Sequence, residues 1–465
     1  MNRPIRLALV LALSLGFTGN ASALPSSPIV RDGSAFQLID AAERAGVLTA
    51  HEARMQTFYG LFYPERMDEA YRDAHQDDAP PCATGLLAEI RANWVDLDSS
   101  ERHLVELATS PIYRQWLSNG GITWEQGDVY AAQDAERATC FSPSQVYSQG
   151  GPYDHISSSD NFSVHYNLDS DVSHDKVDDL LGWLEESYEI EHEEMGFYLP
   201  NGMLSNEMLV MIERLPSEST GGFTSYAQCG FSGYMAFVVI NSQWFDSSES
   251  MKSVAAHEFF HGVQIEYAAA EMWANPNTPN RWWVEASAVY METEVYPTLY
   301  NSQFSQAFRW ITEPYRSLQS YDNSGYQYGT YVFAASVREG LDNTEWFKDI
   351  WLQIFERSGY DLIEEFDELF AEYDSSFEEQ WGRFLEVAAT GEYEFNEYLP
   401  GPGGVEEATN GWRPNSTTAE HEYDEYPVSE AVNSSSGLDR PEYLGVNYVH
   451  LEGEGLDDDL GLIIR

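Results

Sequence analysis

Ala256-His257-Glu258-Phe259-Phe260-His261 is the stretch on which the interpretation of the chain depends. It lies in a run from Ser250 to Ala270 that has helical character. Residues four apart stack on one face of a helix, so His257 and His261 can offer two imidazoles to one metal ion. Glu258 lies one step round the helix, where its carboxylate can act on a water molecule at that ion. The stretch therefore predicts a helix that carries a metal site.

The composition describes a folded chain with a strongly acidic surface. Its 465 residues are enough for two or three domains, and 77 acidic residues against 24 basic ones give a formal net charge of -53. Such a surface repels nucleic acid and anionic lipid head groups, so neither is expected as a partner. The charge is typical of a shell suited to high salt. Calcium sites are the alternative, but no calcium-loop pattern occurs, so Ca2+ is not indicated.

The N-terminus has the three parts of a secretory signal peptide. Arg3 and Arg6 form the basic part, Leu7 to Phe17 the apolar part, and Ala21-Ser22-Ala23 the cleavage site. The apolar run is too short to span a bilayer, and no membrane insertion is expected after the signal is removed. We expect cleavage after Ala23 and a mature protein that is soluble and secreted or periplasmic.

The chain has three cysteines, Cys82, Cys140 and Cys229. Outside the cytoplasm one pair is expected to form a disulfide. The bridge Cys82–Cys140 is favoured because both residues lie in the N-terminal region, although sequence alone does not fix the pairing. The alternative is that one cysteine of this region caps the metal in a latent form.

Periodicity and punctuation divide the chain into four parts. Residues 1–23 are the signal peptide, and residues 24–155 read as a helical N-terminal region. Residues 156–395 are expected to form the catalytic domain, and residues 396–465 a loop-rich β appendage. The helical region is either an inhibitory pro-region or a permanent domain, and the sequence favours neither.

The catalytic domain is expected to begin with strands and a long helix. Alternating or continuous apolar residues predict strands at Asn161–Asn167, Met208–Glu213 and Tyr234–Asn241. Apolar residues at helical spacing predict a helix over Asp175–Met195. The charged run Glu191-His192-Glu193-Glu194 near its end could be a ligand cluster, but a solvated face is the commoner role of such runs.

The third ligand decides the subclass of metal site. Metzincins need glycine at 264 and histidine at 267, and the chain has Gln264 and Tyr267, which excludes that subclass. Glu266 and Glu271 lie too near the motif to fold back on the ion.

A second predicted helix, Arg281–Tyr296, carries three further candidates. The small residues after Glu285 would let this helix pack close to the first. Glu292 and Glu294 are the alternatives, and Glu292 shares the face of Glu285. The best role for Glu292 is to orient a histidine through its other ring nitrogen.

Ala256–His261 followed by Glu285 resembles the gluzincins, the group of thermolysin and the M1 aminopeptidases. The order of elements over residues 160 to about 390 is also similar to a family of secreted bacterial metalloproteases with a His-Glu-Phe-Phe-His helix and a Trp-x-x-Glu-Ala helix. The resemblance implies Glu285 as the third ligand of one catalytic Zn2+. It also implies that the strand Tyr234–Asn241 lines the cleft and pairs with extended substrate.

The implied fold class is α+β. A zincin (gluzincin-like) catalytic domain with a small mixed sheet and a helical C-terminal subdomain follows the helical N-terminal region and precedes a short β tail.

Two departures from the M1 pattern bear on the substrate. Ala236 stands where those enzymes carry the glutamate that holds the free amine of the substrate, which favours cleavage within chains. Tyr326-Gln327-Tyr328-Gly329 is similar to their Tyr-x-Lys-Gly, whose tyrosine donates to the oxyanion. By that match Tyr326 is the oxyanion donor, and Tyr328 is the alternative.

The sequence thus predicts a zinc-dependent endopeptidase that acts on proteins or peptides. His257, His261 and Glu285 hold the ion, and Glu258 is the general base. An aminopeptidase of M1-like type, or a non-enzymatic surface or binding protein on a zincin scaffold, are the alternatives.

Overall fold

The computed structural model describes residues 34–72, 82–109, 153–200, 203, 207–228, 234–267, 280–299, 306–307, 309–310, 316–322, 325–357 and 361–390. The predicted signal peptide, Cys140, Cys229 and the appendage 396–465 lie outside these residues.

A five-stranded mixed sheet forms the centre of the region that follows the N-terminal helices, with strand order β1-β2-β3-β5-β4. The strands are β1 (His155–Ser158), β2 (Phe162–Tyr166), β3 (Met208–Glu213), β4 (Gly222–Gln228) and β5 (Tyr234–Asn241). β2, β3 and β5 run parallel, whereas β1 and β4 are antiparallel to their neighbours. The three predicted strands are present, and β1 and β4 are additional.

The prediction that Tyr234–Asn241 forms the cleft edge is wrong. β5 pairs with β3 on one side and with β4 on the other, so it lies inside the sheet. Its nearly continuous apolar sequence is that of a strand buried on both faces. β1 and β4 are the two edge strands, and β4 is the one that contacts the motif helix. Its polar residues Thr224 and Ser225 break the apolar pattern that revealed the three predicted strands.

The helices cover both faces of this sheet. The N-terminal region contributes α1 (Ala35–Arg44), α2 (Ala50–Phe62), α3 (Glu69–Arg72), α4 (Thr84–Ala92) and α5 (Ser99–Thr109). The region that contains the sheet contributes α6 (His174–Tyr188), α7 (Ser248–Glu266) and α8 (Arg281–Val295). The helical C-terminal part contributes α9 (Tyr326–Gly329), α10 (Tyr331–Leu341), α11 (Glu345–Glu356), α12 (Leu362–Glu372) and α13 (Phe377–Thr390). None of the helices in the described residues is long and apolar enough to cross a membrane.

Strand alternation divides the core between two groups of helices. Val210, Val238 and Ile240 pack in the cluster that contains α6, α7 and α8. The intervening residues Phe237 and Val239 pack instead with α1, α2, α4 and α5. The N-terminal helices therefore cover the face of the sheet that lies opposite the motif helix α7.

The motif helix is fixed by its cap and by its packing. The Ser247 side chain accepts a hydrogen bond from the Ser250 N–H and caps the N-terminus. From Met251 to Ile265 nearly every residue is buried, because α7 contacts α6, α8, β4 and β5. Gly262 allows a close approach, since a Cβ there would lie 2.8 Å from Met208 Cε of β3. The motif histidines are thus held on a helix in the middle of the molecule.

Candidate metal centre

His257 and His261 lie side by side on α7, as their spacing predicts. Their rings are 4.6 Å apart between centroids and nearly perpendicular, and both side chains are buried. α8 brings Glu285 to them: its Oε2 lies 3.4 Å from His257 Nε2 and 3.3 Å from His261 Nε2. Glu285 is fully buried. The structure therefore brings the three predicted ligands together.

The two distances from Glu285 Oε2 to the histidine nitrogens suit a shared tetrahedral ion. Nitrogen and oxygen ligands bound at about 2.0 to 2.2 Å would stand about 3.3 to 3.6 Å apart at the corners of a tetrahedron. The described residues offer no hydrogen-bond partner to His257 Nε2 or to either Glu285 oxygen, although all three atoms are buried. A metal ion would satisfy these polar atoms, whose burial is otherwise costly.

Cys82 is the fourth member of the group. Its Sγ, the two histidine nitrogens and a Glu285 oxygen all lie within 4.8 Å of one another. The thiol is free and buried, so the favoured Cys82–Cys140 disulfide is not formed. That prediction relied on the closeness of Cys82 and Cys140 in the sequence. The Cys82 sulfur instead faces residues that are far away in the sequence. The group of Cys82, His257, His261 and Glu285 could hold a metal ion.

Each histidine is oriented through its Nδ1. His257 Nδ1 lies 2.7 Å from Glu292 Oε1, and Glu292 Oε2 accepts a hydrogen bond from Ser253. Carboxylate oxygens only accept, so Nδ1 carries the proton and Nε2 keeps its lone pair for a metal. The predicted orienting role of Glu292 agrees with this contact.

Gln264 does the same for His261 and was missed as a site residue. Its Oε1 lies 2.7 Å from His261 Nδ1, while its Nε2 donates to Val284 O and Ser287 Oγ, each at 2.9 Å. The two donated bonds fix which end of the amide faces the histidine, so His261 Nε2 is also left as the ligand atom. A polar residue one turn after His261 on a buried helix was the available signal.

Glu258 stays outside the ligand group but next to it. Its Oε2 accepts hydrogen bonds from Thr224 Oγ1 at 2.8 Å and from Thr84 Oγ1 at 3.2 Å. The side chain is buried, and a Cβ on Gly222 of β4 would lie 3.4 Å from Glu258 Oε1. The carboxylate is therefore placed between the motif helix and the edge strand, as a base for a molecule lying along β4 would be.

Residues 152–355 match the model of a Family of unknown function (DUF6055). No curated protein and no solved structure matches the chain. The DUF6055 match contains the five strands, His257, Glu258, His261 and Glu285, whereas Cys82 and Thr84 precede it.

Of the two tyrosines considered as oxyanion donors, only Tyr328 reaches this group. Its ring stacks on His257 at 5.9 Å between centroids, and its hydroxyl donates to the Cys82 carbonyl at 3.2 Å. The Tyr326 hydroxyl donates to the Arg316 carbonyl, and the Arg316 guanidinium lies over its ring. Both tyrosines lie on α9, where residues two apart point about 200° apart, so one of them must face away.

A third tyrosine of the DUF6055 match, Tyr321, borders the group and was not predicted. A Cβ built on Gly85 would lie 2.0 Å from Tyr321 Oη and 2.8 Å from Glu285 Oε1. The Arg281 guanidinium stacks on the Tyr321 ring at 4.0 Å. Burial, and then the nearby charge of Glu285, raise the pKa of the Tyr321 hydroxyl. It therefore stays protonated and can donate a hydrogen bond.

The charges of the group favour a cation. Burial alone would raise the pKa of Glu285, but the field of His261 and the closeness of both imidazoles to the Glu285 carboxylate lower this pKa to about 2. Glu285 is thus a carboxylate at any physiological pH. Burial, followed by the charges of Glu258 and Glu285, raises the pKa of the Cys82 thiol in the metal-free protein. A bound cation would favour loss of that proton.

Glu191 corrects the prediction of a solvated face. Glu193 and Glu194 are exposed, but Glu191 is fully buried in a π-helical turn, Glu189–Glu194, that continues α6. Burial raises the pKa of its carboxyl, and the neighbouring charges of His257 and His261 oppose that shift. The π-turn rotates Glu191 toward the interior. The sequence does not reveal this rotation, because all four residues of 191–194 are polar or charged.

Proposed function

We propose that the protein is a zinc-dependent endopeptidase. The observation that carries the proposal is the arrangement of two oriented histidines and Glu285 around one point, with a separate buried carboxylate, Glu258, beside them. Imidazole and carboxylate ligands in this number are typical of catalytic zinc. When bound, zinc would polarise the substrate carbonyl and lower the pKa of the attacking water.

The chain's own residues supply the proton transfers and the charge stabilisation. Glu258 accepts the proton of the attacking water and passes it to the leaving amine. Tyr328, whose hydroxyl already donates to a backbone carbonyl, donates to the developing oxyanion in place of Tyr326. Glu292 and Gln264 keep both imidazoles in the ligating tautomer throughout.

The edge strand β4 supports cleavage within chains. An extended substrate would pair with β4, since among the strands of the described residues only β5 pairs with it. β4 carries no carboxylate to hold a free amine. Ala236, on which the sequence argument rested, lies in the buried inner strand β5 and faces Gly262 of α7. The absence of an amine anchor thus rests on β4 rather than on Ala236.

Digestion of an unstructured protein tests this function. The purified mature chain is incubated with the substrate with and without a zinc chelator, and the cuts are sequenced. Internal cuts that the chelator abolishes support an endopeptidase, whereas stepwise N-terminal trimming supports an aminopeptidase.

Two substitutions assign the residues. Glu258→Gln is expected to keep zinc and to lose turnover, with the exposed Glu193→Gln as the matched control. Glu285→Ala is expected to lower the metal content. Full activity of Glu258→Gln would remove the assigned base.

One observation favours a second candidate, a non-enzymatic protein with a structural zinc site. Four protein ligands close a zinc site, and Cys82 would be the fourth. In that case no variant would cleave any substrate, and removal of the metal would lower the stability of the fold.

A further inference from the structure

We propose that residues 82–85 keep the site latent, with the Cys82 sulfur as a displaceable fourth ligand and the segment lying where substrate would pair; this rests on the proposed peptidase function. The sulfur closes the position that a catalytic site leaves open for water. Peptide hydrolysis then requires the segment to leave, while His257, His261 and Glu285 keep the ion.

The backbone of the segment occupies the edge strand. The Ala83 N–H donates to the Gly222 carbonyl of β4 at 3.2 Å, and Cys82 forms a parallel bridge with Gly222. On the other side, the Tyr328 hydroxyl donates to the Cys82 carbonyl. An extended substrate needs these same two features, an acceptor on the edge strand and a donor for its carbonyl.

The side chains of the segment engage the base as well. Thr84 Oγ1 donates to Glu258 Oε2 and accepts from the Thr224 N–H at 2.7 Å. Gly85 has no side chain that could collide with Tyr321 or Glu285. Residues 82–85 therefore lie next to the proposed metal position, pair with the edge strand β4 and contact the base Glu258 at the same time.

Helix α4 holds the segment in this place. Gly85 lies against Glu285, and one turn later Glu89 pairs with Arg281, which is one turn earlier on α8. Two contacts spaced by four residues on both helices fix the antiparallel register of α4 and α8. Glu89 also pairs with Arg54 at 2.9 Å, which ties α4 to α2. Displacement of residues 82–85 need not undock the rest of this region.

Cobalt substitution tests the sulfur ligand without any activity assay. The full chain is loaded with Co2+, and a sulfur-to-cobalt charge-transfer band in the near ultraviolet is expected. The band should vanish in Cys82→Ala and remain in Cys140→Ala, which is the matched cysteine control. Loss of the band in Cys140→Ala alone, or its absence from the wild type, would overturn the proposal.

Hydrolysis then tests latency. If the segment occupies the site for about 90 to 99 per cent of the time, its loss raises the rate about 10- to 100-fold. Cys82→Ala removes the sulfur ligand and so favours release of the segment. We expect a gain within this range in Cys82→Ala, with one zinc retained and Cys140→Ala unchanged. An active wild type with no gain in zinc-loaded Cys82→Ala overturns latency but leaves the peptidase function standing. Absence of hydrolysis from every variant, with the cobalt band assigned to Cys82, defeats the peptidase function and latency together.

A measurement on the wild type covers the case in which Cys82→Ala does not fold. A peptide hydroxamate should displace the sulfur, so iodoacetamide labelling of Cys82, followed by mass spectrometry, should rise at least about tenfold while zinc stays bound. Labelling that stays low, or that rises only when zinc is lost, identifies Cys82 as a permanent structural ligand and overturns the proposal.

Discussion

Replacement of Gln264 by leucine isolates the orienting contact of His261 from the metal ligands themselves. Gln264 is fully buried and joins the motif helix to α8, because its amide reaches His261, Val284 and Ser287. Leucine has a similar size but makes none of these bonds. The His261 ring would then lose the acceptor that fixes its tautomer and angle.

The magnitude follows from the three lost hydrogen bonds. At about 0.5 to 1.5 kcal/mol each, their loss should lower the free energy of unfolding of the zinc-free protein by about 3 kcal/mol. Loss of an outer partner of a metal-binding histidine lowers metal affinity about 10- to 100-fold. Gln264→Glu should separate the two effects, since its carboxylate can accept from His261 but cannot donate to Val284 O.

Zinc affinity is measured by competition with a chelating dye, and stability by urea denaturation of the zinc-free protein. Gln56→Leu is the control, because Gln56 lies far from the group in sequence and accepts one hydrogen bond from the Asp68 N–H. We expect Gln264→Glu to keep near wild-type affinity and to lose stability. If Gln264→Leu binds zinc within about twofold of the wild type, Gln264 does not orient His261.

Three further predictions concern separate parts of the molecule. Tyr328→Phe should lower kcat about 100-fold with zinc content unchanged, as expected for loss of an oxyanion donor. Tyr326→Phe should leave kcat unchanged, and the reverse result would show that Tyr326 is the donor, as the resemblance implied. Arg281→Met should lower the free energy of unfolding by about 3 kcal/mol in a urea titration. This is the low end for a broken buried ion pair, because Glu89 would still be paired with Arg54; a decrease below about 0.5 kcal/mol would show that the Glu89–Arg281 pair is unimportant. N-terminal sequencing of the exported protein should begin at Leu24, and retention of the first 23 residues would refute the signal peptide.

The local parts of the site could be predicted from the sequence because helical spacing determines them. His257 and His261 share a face whatever surrounds them, and Glu285 and Glu292 share a face of the next helix. Once the two helices pack, the contacts of both glutamates with the histidines follow. Gln264 lies three residues after His261, on the same face of the helix. Its role was not predicted, because position 264 was considered only as the place where metzincins carry glycine.

Contacts between distant segments could not be predicted in the same way. Strand β4 is covered by helices although it contains polar residues. Its sequence therefore lacks the alternation of apolar and polar residues by which a strand is recognised. Tyr326 and Tyr328 both fit the motif, and only the angle of α9 chooses between them. Cys82 lies near the histidines because α4 packs on α8 in a register that depends on the pair Glu89–Arg281. The spacing of residues along the sequence does not reveal that register.

The same packing bears on whether the N-terminal region is removed. Its helices bury a whole face of the sheet, made up of Leu209, Met211, Phe223, Phe237 and Val239. Exposure of five such side chains would cost about 2 kcal/mol each, and together about 10 kcal/mol. The net stability of a domain is only about 5 to 15 kcal/mol. Loss of the whole region would thus remove most of the stability. We therefore expect the proposed release of the site to occur by displacement of residues 82–85 while the helices stay in place.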